Sequence, residues 1–190
     1  ICIAALFYLF TGLFFINKIL ATFNIEPVAR SIVLVVVVFA TNVFYYTEVE
    51  AGMSHIYSFA AISVFIYCTR KFFMNFKYKY LMIASLAAGL IILLRPVNGM
   101  IMLIIPFLSG SPQTLKQGFT KLTENGVVSA SGILIFLSVI FIQLLIYKIT
   151  VGSFFVYSYE HEGFRFSDPH FMDILFSYKK GLFLYTPILL

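Results

Sequence analysis

The chain has 190 residues, of which 61% are apolar, 18% aromatic and 11% charged, and its mean hydropathy is +0.98. An ordinary soluble domain is roughly 45–50% apolar and about 25% charged, so a water-soluble globular enzyme is excluded. Thirteen Lys and Arg against eight Asp and Glu give a net charge of +5. The basic residues sit in short clusters between apolar runs, which argues against a nucleic-acid partner and for membrane orientation.

A helix that crosses a hydrocarbon core of about 30 Å needs about 20 mostly apolar residues. In chain order the candidates are 1–16, 31–46 (SIVLVVVVFATNVFYY), 53–68 (MSHIYSFAAISVFIYC), 127–147, and a further run starting at Leu182. The chain opens and closes inside apolar runs, without a basic leader. The whole of 1–190 is therefore expected to be one part of a single transmembrane domain, truncated at both ends. The fold class expected is all-α: a polytopic transmembrane bundle with short and broken helices and a long polar outer loop.

Segment 81–108 (LMIASLAAGLIILLRPVNGMIMLIIPFL) is too long for one upright span, because 28 residues of helix would measure about 42 Å. Pro96 lacks an N–H and clashes with the preceding turn. A charged Arg95 at mid-bilayer would cost roughly 2.5–3.5 kcal/mol, so the break belongs at a surface or in a watered cavity. A shallow hairpin is the preferred arrangement. It puts Lys18, Arg30, Arg70, Lys71, Lys77, Lys79, Lys116 and Lys121 on one side, which would be cytoplasmic. A single kinked span gives a better charge count, ten basic residues against two once Arg95 is set aside. The breaker sequence RPVNG favours the hairpin all the same. Segment 109–126 reads as a connector, and the Tyr residues near segment ends, Tyr45, Tyr46 and Tyr78 among them, suit the headgroup zone.

Cys2 and Cys68 lie in apolar stretches with no second thiol or His at a ligand spacing, so both are expected in the core, with no disulfide or metal site. Three places could carry chemistry. The turn at 47–55, TEVEAGMSH, holds Glu48, Glu50 and His55, the last one turn inside the interface, where an imidazole needs a partner; a solvated turn capped by Ser54 and His55 would have the same composition. Arg95 and Asn98 flank the break, where a guanidinium can form a paired contact with a phosphate or snorkel to headgroups. The loop 152–181 carries Tyr159, Glu160 and Arg165 among aromatics, a mixture that suits sugar binding; an interfacial loop packed on lipid would look alike. Glu160-His161-Glu162 lacks the spacing of a zinc helix. No phosphate-cradling loop or nucleophile elbow is present.

Three stretches together resemble the GT-C superfamily of polytopic glycosyltransferases, in particular the bacterial branch similar to protein mannosyltransferases and aminoarabinose transferases. They are YTEVEAGMSHIYSF at 46–59, GLIILLRPVNG at 89–99 and LFSYKKGLFLYTPILL at 175–190. The resemblance implies transfer of a sugar from a polyprenyl-phosphate carrier to a lipid, glycan or protein acceptor. The reaction would take place on the outer side of a bacterial inner membrane, with inversion at the anomeric carbon. The family's main catalytic carboxylate lies in its first outer loop, upstream of Ile1, and any divalent cation would be bound by residues outside these 190. Glu48 and Glu50 are the remaining carboxylate candidates, and His55, Arg95, Asn98, Tyr159, Glu160 and Arg165 the substrate-binding ones. The competing function is a transporter or flippase of lipid-linked sugars or other amphiphiles, which also uses broken helices and intramembrane charge.

Overall fold

The computed structural model describes residues 2–156, 170–178 and 181–186, and these are helical with no strand among them. The elements are α1 (Cys2–Thr22), α2 (Pro27–Phe39), α3 (Val43–Glu48), α4 (Ser54–Asn75), α5 (Tyr78–Leu94), a 3₁₀ segment (Pro96–Ile104), α6 (Ile105–Leu108), α7 (Pro112–Glu124), α8 (Gly126–Val151), α9 (Phe171–Phe176) and α10 (Leu182–Tyr185). Three of them, α1, α4 and α8, are long and apolar enough to cross a membrane. The expectations for 53–68 and 127–147 are met by helices four or more residues longer.

The central element is α4, which packs against α1 on one side and α5 on the other, and α5 in turn packs against α8. Half of the apolar window of α4 is buried, against 11% for α8, whose large side chains therefore face outward. Small residues make the α4–α5–α8 stack possible. Ala84, Ala87, Ala88 and Ile91 of α5 pack with Phe65 and Cys68 of α4. At Gly89 a Cβ would lie 2.9 Å from Val139 Cβ and 3.2 Å from the Phe136 carbonyl oxygen, so α5 and α8 can approach this closely only with glycine there. The two-residue link Phe76-Lys77, with Phe76 left-handed at φ 49°, makes α4 and α5 antiparallel neighbours.

After α5 the chain reverses. Arg95 lies beside His55 at the start of α4, whereas Arg70 Nη1, near the end of α4, donates 3.0 Å to the Leu108 carbonyl. From His55 to Arg70 along α4 is about 22 Å. Thirteen α-helical residues would reach only about 20 Å, but nine in 3₁₀ geometry and four in α reach about 24 Å. Pro106 explains why the return is not one α-helix: it cannot donate to Met102, and its ring crowds that carbonyl. Segment 81–108 thus has the hairpin form.

Several expectations need correction. Segment 31–46 is two helices, not one, broken at 40–42; the Thr41 hydroxyl donates to Val37 O (2.6 Å) and accepts from the Val43 N–H (3.3 Å), diverting the backbone from the helical ladder. Segment 109–126 is no plain connector, because α7 fills most of it, capped by Ser111, whose hydroxyl accepts from Thr114 N–H. Cys68 is buried but Cys2 is exposed. Of the run beginning at Leu182, α10 is described.

Candidate functional site

The site is assembled at the end of the stack where α3, the start of α4 and the end of α5 meet. Pro96 restricts the residue before it to extended geometry, and Arg95 has φ −155° and ψ 111°. That turn takes Arg95 off the α5 axis and across to α4. Its Nη1 lies 3.2 Å from His55 Nδ1 and 3.3 Å from Nε2. A neutral imidazole has one acceptor nitrogen, so a single hydrogen bond forms at a time and the guanidinium sits astride the ring. Tyr46 stacks on the same imidazole, with centroids 4.0 Å apart and planes at 26°.

The turn that presents these groups is held from below. Thr47 is 1% exposed and its hydroxyl donates 2.8 Å to Val43 O. The Tyr57 hydroxyl donates 2.9 Å to the carbonyl of buried Ala51, which shares a small core with Ala5, Leu9 and Ile56. Glu50 accepts 3.0 Å from the Tyr45 hydroxyl, and the N–H groups of Val49 and Glu50 both donate to Tyr45 O. Sequence composition allows a solvated turn here; the structure has a braced one.

The electrostatics favour an anion. Met53 is the N-cap of α4 and offers no side-chain cap, and the first turn holds no acidic residue, so the positive end of the helix dipole lies beside Arg95. Ser54 and His55 therefore do not cap α4. No carboxylate among the described residues lies within ion-pair distance of Arg95, and its other guanidinium N–H groups stay available.

Asn98 follows Arg95 by one 3₁₀ turn, with its N–H donating 3.0 Å to Arg95 O, which puts the two residues on one face of the segment. Glu48 is exposed at the end of α3, and neither it nor Glu50 pairs with Arg95. Tyr159, Glu160 and Arg165 lie outside the described residues. Among the described residues no three His, Cys, Asp or Glu side chains gather to hold a metal ion. Tyr46, assigned from sequence to the headgroup belt, is the residue that sequence reasoning missed; nine residues separate it from His55, and no helical or strand period links them.

No family model, curated protein or solved structure matches this chain.

Proposed function

We propose that this chain is part of a polytopic all-α membrane glycosyltransferase that moves a sugar from a polyprenyl-phosphate carrier to an acceptor, with Arg95 and His55 at the carrier's phosphate. The observation that carries this reading is the meeting of Arg95 with His55 at the start of α4, a helix N-terminus without a side-chain cap. In such a transfer the bond between the anomeric carbon and the phosphate oxygen breaks, and negative charge grows on the departing phosphate. A guanidinium held beside a helix N-terminus stabilises that charge in place, the kind of prearranged electrostatic help that accounts for much enzymatic rate enhancement.

Topology fits the scheme. Lys77, Lys79, Lys116 and Lys121 cluster at the opposite end of the stack, and an excess of Lys and Arg marks the cytoplasmic side, leaving the Arg95 end outside in a bacterial inner membrane. Glu48 and Glu50 orient donor or acceptor hydroxyls from the braced turn. Asn98, on the Arg95 face, adds an amide to the phosphate or the sugar, and Tyr159, Glu160 and Arg165 are the remaining sugar-binding candidates. A divalent cation, if the reaction uses one, is bound by residues outside these 190.

The test is turnover by the full-length protein in proteoliposomes supplied with polyprenyl-phosphate sugars and a panel of acceptors. Sugar leaving its carrier with the parent protein, and far more slowly with Arg95→Ala, is the expected result. Carrier crossing the bilayer with its sugar still attached would replace this reading with that of a transporter, for which the reversal at 95–108 is the supporting feature.

A further inference from the structure

A second feature, not used by that reading, lies at the other end of the molecule. A cleft of about 360 Å³ opens between α4, α5, α7 and α8, with Met102 and Ile105 of the returning segment in its wall; Phe65, Phe73, Leu81 and Phe136 line it, and α7 contributes Phe119 and Leu122. Its volume falls within the roughly 300–1,000 Å³ typical of ligand pockets. Thr69 and Ser85 supply the hydroxyls of an otherwise hydrocarbon wall. Every lining residue of α5 comes from its first three turns and every one of α8 from its first half, so the cleft occupies only the basic half of the stack.

Positive charge stands at its mouth. Tyr78 at the start of α5 donates from its hydroxyl to Lys121 O of α7 at 3.5 Å, which brings the Lys77-Lys79 corner and Lys121 together within one turn of Leu81 and Leu122. Lys121 pairs with Glu124 at 2.8 Å, whereas Lys77 and Lys79 are exposed and join no carboxylate among the described residues. Arg70, next to Thr69, also joins no carboxylate among the described residues, and its Nε is buried with no hydrogen-bond partner there. The helix that closes the cleft, α7, is amphipathic: Leu115, Phe119 and Leu122 recur at helical spacing while Lys116, Thr120 and Lys121 face away.

We infer that the cleft between α4, α5, α7 and α8 seats one acyl chain of an anionic phospholipid from the leaflet at the basic end, with the headgroup phosphate held by Lys77 and Lys79. A hydrocarbon wall favours an acyl chain, and two exposed lysines that join no carboxylate among the described residues, Lys77 and Lys79, favour an anionic headgroup over a zwitterionic one. α7 serves as the interfacial wall of that seat. The seat is separate from the Arg95 site, at the far end of α4, and does not depend on what reaction takes place there.

The test uses the full-length protein in phosphatidylcholine bilayers with trace phospholipid spin-labelled on an acyl chain, read by electron paramagnetic resonance as the motionally restricted fraction. Phosphatidylglycerol should associate roughly fivefold more strongly than phosphatidylcholine, the preference expected from about one effective surface lysine. One molar salt should abolish that preference, since the screening length falls to about 3 Å. Lys77→Gln with Lys79→Gln, both exposed, should remove the headgroup preference while leaving chain immobilisation intact. Leu122→Trp, which fills the mouth from α7, should reduce the restricted fraction of both lipids. Equal association of the two lipids with the parent protein would overturn the inference. So would a phosphatidylglycerol preference unchanged by the lysine substitutions, or a restricted fraction that Leu122→Trp leaves as it was.

Discussion

The two ends of the α4–α5 pair are made from one hairpin and differ in almost everything else. At the Arg95 end, polar groups meet one another: Arg95 with His55, His55 with Tyr46, Glu50 with Tyr45 and Ala51 with Tyr57. At the Lys77 end the cleft wall is hydrocarbon apart from the Thr69 and Ser85 hydroxyls, and Lys77 and Lys79 are exposed. The difference follows from how the chain turns. The Phe76-Lys77 link is two residues long and leaves both helices regular to their ends. Pro96 holds Arg95 in extended geometry at the end of α5, which swings that charged side chain across the helix end. The tight turn leaves Lys77 and Lys79 on the surface, whereas the proline break carries Arg95 to His55.

The strongest way to break the contrast is to spread the scaffold that both ends share. Gly89→Leu should push α5 from α8 against Val139 and the Phe136 carbonyl, at a cost of roughly 1–3 kcal/mol or more. The full-length protein should lose monodispersity and thermal stability in detergent, and both donor turnover and lipid preference should fall together. Next in size is Arg95→Ala, which should lower turnover roughly 10²–10³-fold while leaving the lipid preference at the far end untouched. Arg95→Lys keeps charge but not the paired geometry and should fall between. His55→Ala removes the group that positions Arg95 and should cost about tenfold, or about 1.4 kcal/mol, in the same assay. Smallest is Lys77→Gln with Lys79→Gln, expected to leave turnover unchanged within error, which separates the two ends cleanly.

Much of this was legible in the residues. The apolar runs announced α1, α4 and α8, and RPVNG announced the reversal, because a proline after a charged residue in an apolar run has few other structural outcomes. Ser111-Pro112 followed by Leu115, Phe119 and Leu122 also spelled a capped amphipathic helix, but its turn-like composition hid the period. The break at 40–42 was overshadowed by four consecutive valines, although Thr41-Asn42 carried the hydroxyl that competes for the backbone. His55 and Arg95 each stood out singly as charged or titratable groups in apolar surroundings. Their contact was not readable, since forty residues separate them and only the antiparallel pairing of α4 with α5 brings them together. Tyr46 gave no signal at all, as its stacking depends on the angle at which α3 approaches α4.

The central claim is that Arg95 and His55 act as one phosphate-binding unit at the N-terminal end of α4. Its most direct test is equilibrium binding of sugar-free polyprenyl phosphate to the full-length parent, Arg95→Ala, His55→Ala and the double variant. The account predicts that each single substitution weakens binding at least about tenfold, near 1.4 kcal/mol, and that the double variant loses much less than the sum. Strictly additive losses, or an Arg95→Ala protein that binds the phosphate as tightly as the parent, would contradict it.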